Sequence, residues 1–311
     1  MLLTHGALRA ALPPVAATIG NFDGVHLGHQ AMLGRVTAAA RARRLASCVF
    51  TFEPHPREFF SPAAAPTRLS SLREKCGLIG SFGIERVHVR RFDGAFAGLA
   101  PEAFVRDLLA RELNARWVLV GEDFRFGAKR AGDAALLRRL GDAHGVEVET
   151  MPNVLHAGQR VSSSAVRRAL AAGDLAAAEA LLGRPYCISG RVVHGDKLGR
   201  ALGFATANVQ LRHNRPPLTG IYAVRVQGAG DDARPGVASL GVRPTVTASG
   251  KAVLEVHLFD FSRELYGSHL RVEFLHKIRD EEKYPDLETL RAQIARDCEV
   301  ARALLMEPRH V

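Results

Sequence analysis

The chain has 311 residues, enough for two domains of roughly 150 residues, each able to bury its own core. Apolar residues make up 47% and charged residues 24%, and no run reaches the ~20 apolar residues that cross a bilayer, which speaks against a helical membrane protein. A net charge of +10 favours anionic partners (nucleic acid, an acidic membrane surface or polyphosphate substrates), while four scattered cysteines without a CxxC pair argue against a zinc or dithiol site.

The N-terminus lacks a charged segment followed by an apolar core, so no signal peptide is expected and the chain reads as cytoplasmic. From Val15 onward, apolar runs alternate with Ala- and Arg-rich helical patterns. The runs are VAATIG (15–20), SCVFTF (47–52), RVHV (86–89), WVLVG (117–121) and VEVET (146–150). Helices are expected over 30–44, 102–113 and 133–144. Apolar strands flanked by helices predict a parallel sheet covered on both faces, hence a doubly wound α/β domain. GNFDGVHLGH, EPHPREF, RRFDGAF and GEDFRFG follow the first four runs. Each begins at a strand's carboxyl end, where open α/β sheets hold their ligands, so the four are expected to converge.

In the first loop, Gly20, Gly24 and Gly28 permit close backbone approach, and the following helix offers free amides and a positive dipole end to a phosphate. His26 and His29, three apart, would aim at one point and could donate to phosphate oxygens; by themselves they are equally two histidines on a glycine-rich turn. His55 in EPHP fits a phosphate neighbour or a turn residue. The string G-N-F-D-G-V-H-L-G-H-Q (20–30) resembles the HxGH loop of nucleotidylyltransferases, and in full the FMN adenylyltransferase module of bacterial bifunctional riboflavin kinase/FAD synthetases. That resemblance implies ATP contacts from Gly20, Asn21, Phe22, Asp23 and Gly24, with His26 and His29 catalytic. A second string, G-Q-R-V-S-S-S-A-V-R (158–167), resembles the family's other ATP-phosphate motif, with Ser164 where Thr is usual. It implies phosphate contacts from Arg160, Ser163, Ser164 and Arg167. Asp123 and Phe124 in GEDFRFG resemble its flavin and nucleotide loop.

A helical segment over 174–182 stops at Gly183, and the chain then changes character. YCISGRVVHG, IYAVRVQG, PGVASLGV, AVLEVHLFDF and LRVEFLHKIR are short strands between Gly, Pro and Asp turns, predicting an antiparallel barrel. Apolar spacing over 287–305 predicts a helix packed on it. H-G-D-K-L-G-R-A-L-G-F-A-T-A-N-V (194–209), L-E-V-H-L-F-D-F (254–261) and I-R-D-E-E-K-Y (278–284) resemble the riboflavin kinase module of the same family. This implies ATP and magnesium contacts from Gly195, Lys197, Gly199, Thr206 and Asn208. Thr206 and Asn208 would be the Mg²⁺ ligands, and Glu255 the general base. Glu255 and His257 share a strand face by the period of two. Ala205 stands where the family has Pro, so the loop before Thr206 is expected to be less pre-ordered.

The resemblance spans nearly the whole chain in the family's order. It implies a Rossmann-like nucleotidylyltransferase domain over 1–183 and a riboflavin kinase barrel over 184–311. ATP and riboflavin would be substrates, FMN intermediate and FAD product, with Mg²⁺ as the ion and no tightly held organic cofactor. Neither nucleic acid nor membrane is an expected partner, and self-association is expected to be weak. Two rival readings are FAD synthesis alone with a degenerate kinase half, and RNA binding; the latter calls for aromatics interleaved with a basic stripe, which one Trp and four Tyr do not supply.

Overall fold

A computed structural model describes residues 1–6, 12–195, 199, 202–211, 215–243 and 251–306. It forms two compact units, one of Met1–Pro66 with Leu72–Ser162, the other of Thr67–Ser71 with the chain from Ser163 onward. No helix among the described residues is long and apolar enough to cross a membrane.

The first unit holds a parallel sheet of β1 (Leu2–His5), β2 (Val15–Ile19), β3 (Ala46–Glu53), β4 (Arg86–Arg91), β5 (Ala115–Gly121) and β6 (Glu147–Met151), in spatial order β1-β4-β3-β2-β5-β6. Five strands match the apolar runs. The sixth, β1, adds to the edge beside β4 and was not expected, because four residues carry no usable alternation. Both faces are covered, as the apolar strands require. Val15, Ala17 and Ile19 face a core with Phe104–Glu112 and α6 (Ala134–Asp142), while Ala16 faces one with α1 (Leu27–Arg43) and α3 (Leu72–Ser81). Short helices α2 (Pro56–Phe60), α4 (Gly94–Ala97) and α5 (Pro101–Ala103) complete the crossovers. The helix expected over 102–113 is α5 running into a π-helical stretch, Phe104–Glu112. A hairpin of β7 (Leu155–His156) and β8 (Gln159–Arg160) follows β6. Because the order reverses at β2, the carboxyl ends of β2 and β5 flank a topological switch point, where such sheets open a crevice.

His88 lies buried in β4, with Nδ1 2.8 Å from the Thr4 hydroxyl and its ring 5.3 Å from that of Phe50. Burial, then Arg90, His5 and Arg86, lowers its pKa to about 4. Glu112 is 3.7 Å from Nε2 and accepts from Arg90 at 2.9 Å. The unfolded histidine titrates near about 6.5, so the unfolded chain binds the proton first. The stability contribution is therefore complete above that pH and lost as the pH falls towards about 4, amounting to roughly 3 kcal/mol. Urea unfolding at pH 7 and 4.5 should show His88→Phe losing less stability on acidification than the parent; equal losses would contradict this account.

The second unit opens with α7 (Ser163–Ala171) and α8 (Leu175–Leu182). Asp174 caps α8 by accepting from the Ala177 amide at 2.9 Å, and Gly183 ends it at φ 67°. Although these helices precede residue 183, their stripe of Val166, Leu170, Leu175, Ala178 and Leu182 belongs to the barrel's core. Strands β9 (Tyr186–Val193), β10 (Ala207–Val209), β11 (Gly220–Gln227), β12 (Arg234–Arg243), β13 (Lys251–Leu258) and β14 (His269–Arg279) close a barrel in order β10-β13-β12-β11-β14-β9. All pairings are antiparallel. Alternation in β13 sends Leu254, Val256 and Leu258 inward and puts Glu255 and His257 on the outer wall. Helix α9 (Leu287–Met306) covers that wall, packing Ile294, Cys298 and Ala301 against Ile221, Ala223 and Val237.

Candidate active sites

The loop after β2 is bent by three left-handed residues, Phe22 (φ 49°), Gly24 (φ 81°) and Val25 (φ 43°). For Val25 this conformation is costly, of order 1–3 kcal/mol, and it persists because the Phe22 and Val25 side chains are locked in the core. Asp23, only 2% exposed, is buried with them. The loop delivers His26 as the N-cap of α1, which begins at Leu27, three residues before the start expected for that helix. Its Nδ1 accepts from the His29 amide at 3.3 Å, which leaves the proton on Nε2. The two imidazoles stack with centroids 3.7 Å apart, and Phe22 lies 4.8 Å from His29. The buried Nδ1 of His29 has no hydrogen-bond partner among the described residues. Burial first, then His26 and Lys75, holds the His29 pKa well below the usual histidine value, so this imidazole is neutral at pH 7.

A cleft of about 210 Å³ opens at the switch point, and Gly20, Phe22, His26, His29, Asp123 and Arg160 are among its walls. Phe124 and Ser162 also line it. Arg160 pairs with Asp123 across the opening, both side chains half exposed. The expectation of four converging loops is corrected here: those after β2 and β5 line the cleft, with residues following β6, whereas EPHPREF and RRFDGAF do not. His55 instead caps α2 in a capping box with Glu58, accepting from the Arg57 amide at 3.1 Å. Those two loops contribute aromatics. Phe59, Phe60 and Phe92 pack edge to face, Phe60 is 64% exposed, and the contacts run on through Phe96, Phe104 and Phe126 to Phe124. This cluster went unassigned in the sequence; the signal was FF followed thirty residues later by RRFDGAF. Asn21 lies outside the cleft lining, its backbone carbonyl accepting from Thr51 at 3.4 Å. Ser163 and Ser164 begin α7 in the second unit, where Arg167 donates through Nε to the Thr67 carbonyl at 2.6 Å.

The second site lies on the barrel's outer wall, in a pocket of about 230 Å³. Register places Asn208 opposite Glu255 and Glu255 opposite Ser239, a polar row across β10, β13 and β12. Thr206, just before β10, joins it, and Arg279, Tyr284 and Asp297 form the wall nearest α9. Gly195 and Gly199 are close-approach positions. A Cβ on Gly195 would overlap the Asn208 carboxamide, and one on Gly199 would lie 3.0 Å from the Thr206 hydroxyl. Lys197 lies outside the described residues. His257 Nδ1 donates to the Ala205 carbonyl at 2.9 Å, so this loop is tied down at the position where the ring of proline is missing. Glu281 bonds Ser239, and its pKa is raised by burial and by Glu255, with the Ser239 bond and Arg279 opposing. Thr206 also lines a smaller pocket of about 80 Å³ with Leu265 and Tyr266, so it stands between two cavities.

Two family models match the chain. The FAD synthetase model covers residues 9–165 and the riboflavin kinase model 182–305. The chain belongs to the bifunctional riboflavin kinase/FMN adenylyltransferase family. It is 48% identical over 298 residues to the enzyme of that name from Escherichia coli K12, covering 96% of this chain and 95% of the relative. The Haemophilus influenzae enzyme of the same name is 44% identical, with 96% of each chain covered. A solved structure named as a macrolide-efflux protein from Streptococcus pneumoniae superposes with a TM-score of 0.81 at 29% identity, covering 97% of this chain and 99% of that one.

Proposed function

We propose that the family's two activities are divided between the two pockets, with residues 1–183 carrying adenylyl transfer and 184–311 the kinase. The chain is a transferase that phosphorylates riboflavin to FMN and adenylylates FMN to FAD, so riboflavin, FMN, FAD and ATP are its substrates and products. A chain that uses ATP twice fits a cytoplasmic location.

In the switch-point cleft, an FMN phosphate oxygen attacks the α-phosphorus of ATP and pyrophosphate leaves. No nucleophilic side chain is needed; alignment and charge neutralisation carry the step. The His26 Nε2–H, the neutral His29 and the amino end of α1 face the phosphates. Arg160 exchanges Asp123 for a phosphate, and Gly20, Phe22, Asp23 and Gly24 shape the backbone around it. Asn21 keeps the loop joined to β3 through Thr51. Ser163, Ser164 and Arg167, which the family resemblance makes phosphate contacts, lie on α7 in the second unit. Asp123 and Phe124 present the flavin with polar and aromatic surface.

In the barrel pocket, the ribityl 5′-hydroxyl attacks the γ-phosphorus, Glu255 takes its proton and ADP leaves. The oxygens of Thr206 and Asn208 are hard donors suited to Mg²⁺ held jointly with phosphates and water. When bound, that ion neutralises phosphate charge. Gly195 and Gly199 approach these ligands closely; Lys197, an ATP contact by the family resemblance, falls outside the described residues. Thr206 lies at the junction of the small pocket, which takes the nucleotide, and the larger one, which takes riboflavin.

The observation that carries this reading is the row Asn208–Glu255–Ser239 beside Thr206, which sets a proton acceptor next to oxygen ligands in one pocket. Chromatography of products from riboflavin, ATP and Mg²⁺ should show FMN and then FAD. Turnover of supplied FMN alone would leave only the adenylyltransferase reading.

A further inference from the structure

Asp297 carries a charge into the packed face of α9, where it is 4% exposed. A carboxylate buried there is unfavourable unless its partners are well placed. Its two oxygens accept a fork from Arg279, Nε to Oδ1 at 2.9 Å and Nη2 to Oδ2 at 2.6 Å. Gln293, one turn earlier on the same helix, donates to Oδ1 at 2.9 Å. Arg279 is the last residue of β14; its Nη1 donates to the Asp280 carbonyl at 3.0 Å, and its guanidinium lies 5.7 Å from the Tyr284 ring centre. One bidentate pair thus clamps the helix to the barrel and orients the segment between them.

The clamp sits in the pocket wall. Arg279, Asp297, Tyr284, Leu290 and Ile294 line the side nearest α9, while Thr206, Asn208 and Glu255 come from β10, β13 and the loop before β10. A planar aromatic substrate needs a slot of fixed width, and here that width depends on where α9 rests. We propose that Asp297 is a positioning residue for the kinase reaction: through Arg279 it fixes α9 and so sets how the riboflavin ring is held, without touching the phosphates. The proposal rests on the kinase reading of this pocket.

The test is steady-state FMN formation by the full chain carrying Asp297→Asn, Gln293→Ala or Glu255→Gln. Asp297→Asn keeps the side chain's shape and removes its charge. It should raise KM for riboflavin about tenfold, the scale of weakening one charge-assisted hydrogen bond, and leave KM for Mg-ATP and kcat within about twofold. Gln293→Ala removes one neutral contact and should move the same constant in the same direction by less, which keeps the test available should Asp297→Asn prove insoluble. Unchanged riboflavin KM in both variants, or equal rises for riboflavin and Mg-ATP, would overturn the proposal. Glu255→Gln separates the two failures. If it keeps full kinase activity, the site reading itself falls; if it is inactive and Asp297→Asn binds riboflavin normally, only the clamp falls.

Discussion

His29→Ala should abolish FAD formation from FMN and leave FMN formation from riboflavin unchanged. The argument begins with the chain itself: a left-handed Phe22-Asp23-Gly24-Val25 bend places His26 at the cap of α1, and the helix then brings His29 onto the same spot, ring on ring at 3.7 Å. The imidazole is neutral at neutral pH because burial and the neighbouring His26 and Lys75 disfavour its charged form. In the proposed mechanism its one N–H donates to charge that develops as pyrophosphate leaves. Removing one such preorganised donor costs about 10²–10³ in kcat, and the substitution also unstacks His26. Initial rates with FMN, ATP and Mg²⁺ measure it. A variant that folds and retains more than a tenth of the parent's rate would remove His29 from the mechanism.

Glu255→Gln should do the reverse, stopping FMN formation while supplied FMN is still converted to FAD. Glu255 stands opposite Asn208 on one side and Ser239 on the other, on the face of β13 that alternation turns away from the barrel core. Glutamine preserves volume and hydrogen bonding but cannot take the 5′-hydroxyl proton, and positioned general bases contribute about 10²–10⁴ in rate. The expected drop is of that size in kcat, with binding of Mg-ATP little changed because Thr206 and Asn208 remain. Kinase turnover at the parent's rate would transfer the base role elsewhere, and Glu281 across Ser239 is the carboxylate the pocket offers.

Much of this is legible in the sequence. Apolar runs at Val15, Ser47, Arg86, Trp117 and Val146 became β2 to β6, because strands buried on both faces must be apolar throughout. The two histidines three apart and the Glu255/His257 alternation are local patterns, and both survived folding. What stayed hidden depends on non-local pairing. Ser239 sits in an ordinary strand sequence and gains meaning only from its register with Glu255. Asp297 and Lys75 look like solvated helix charges, since burial is decided by what packs against a helix and not by the helix. α7 and α8 read as the end of the first half, yet their apolar stripe is completed by the barrel. Gly195 and Gly199 enter the sequence reading as ATP contacts implied by the resemblance, and the structure gives them a second reason, contact with Asn208 and Thr206 at distances a Cβ would forbid. Nothing in the sequence signals that the Ala205 carbonyl accepts a hydrogen bond from His257.

The most direct measurement mixes the His29→Ala and Glu255→Gln proteins and follows riboflavin, ATP and Mg²⁺ by chromatography. Each alone should yield no FAD from riboflavin, and together they should make it, because one still phosphorylates and the other still adenylylates. A mixture that forms no FAD, or a single variant that forms it, would contradict two pockets with one reaction each.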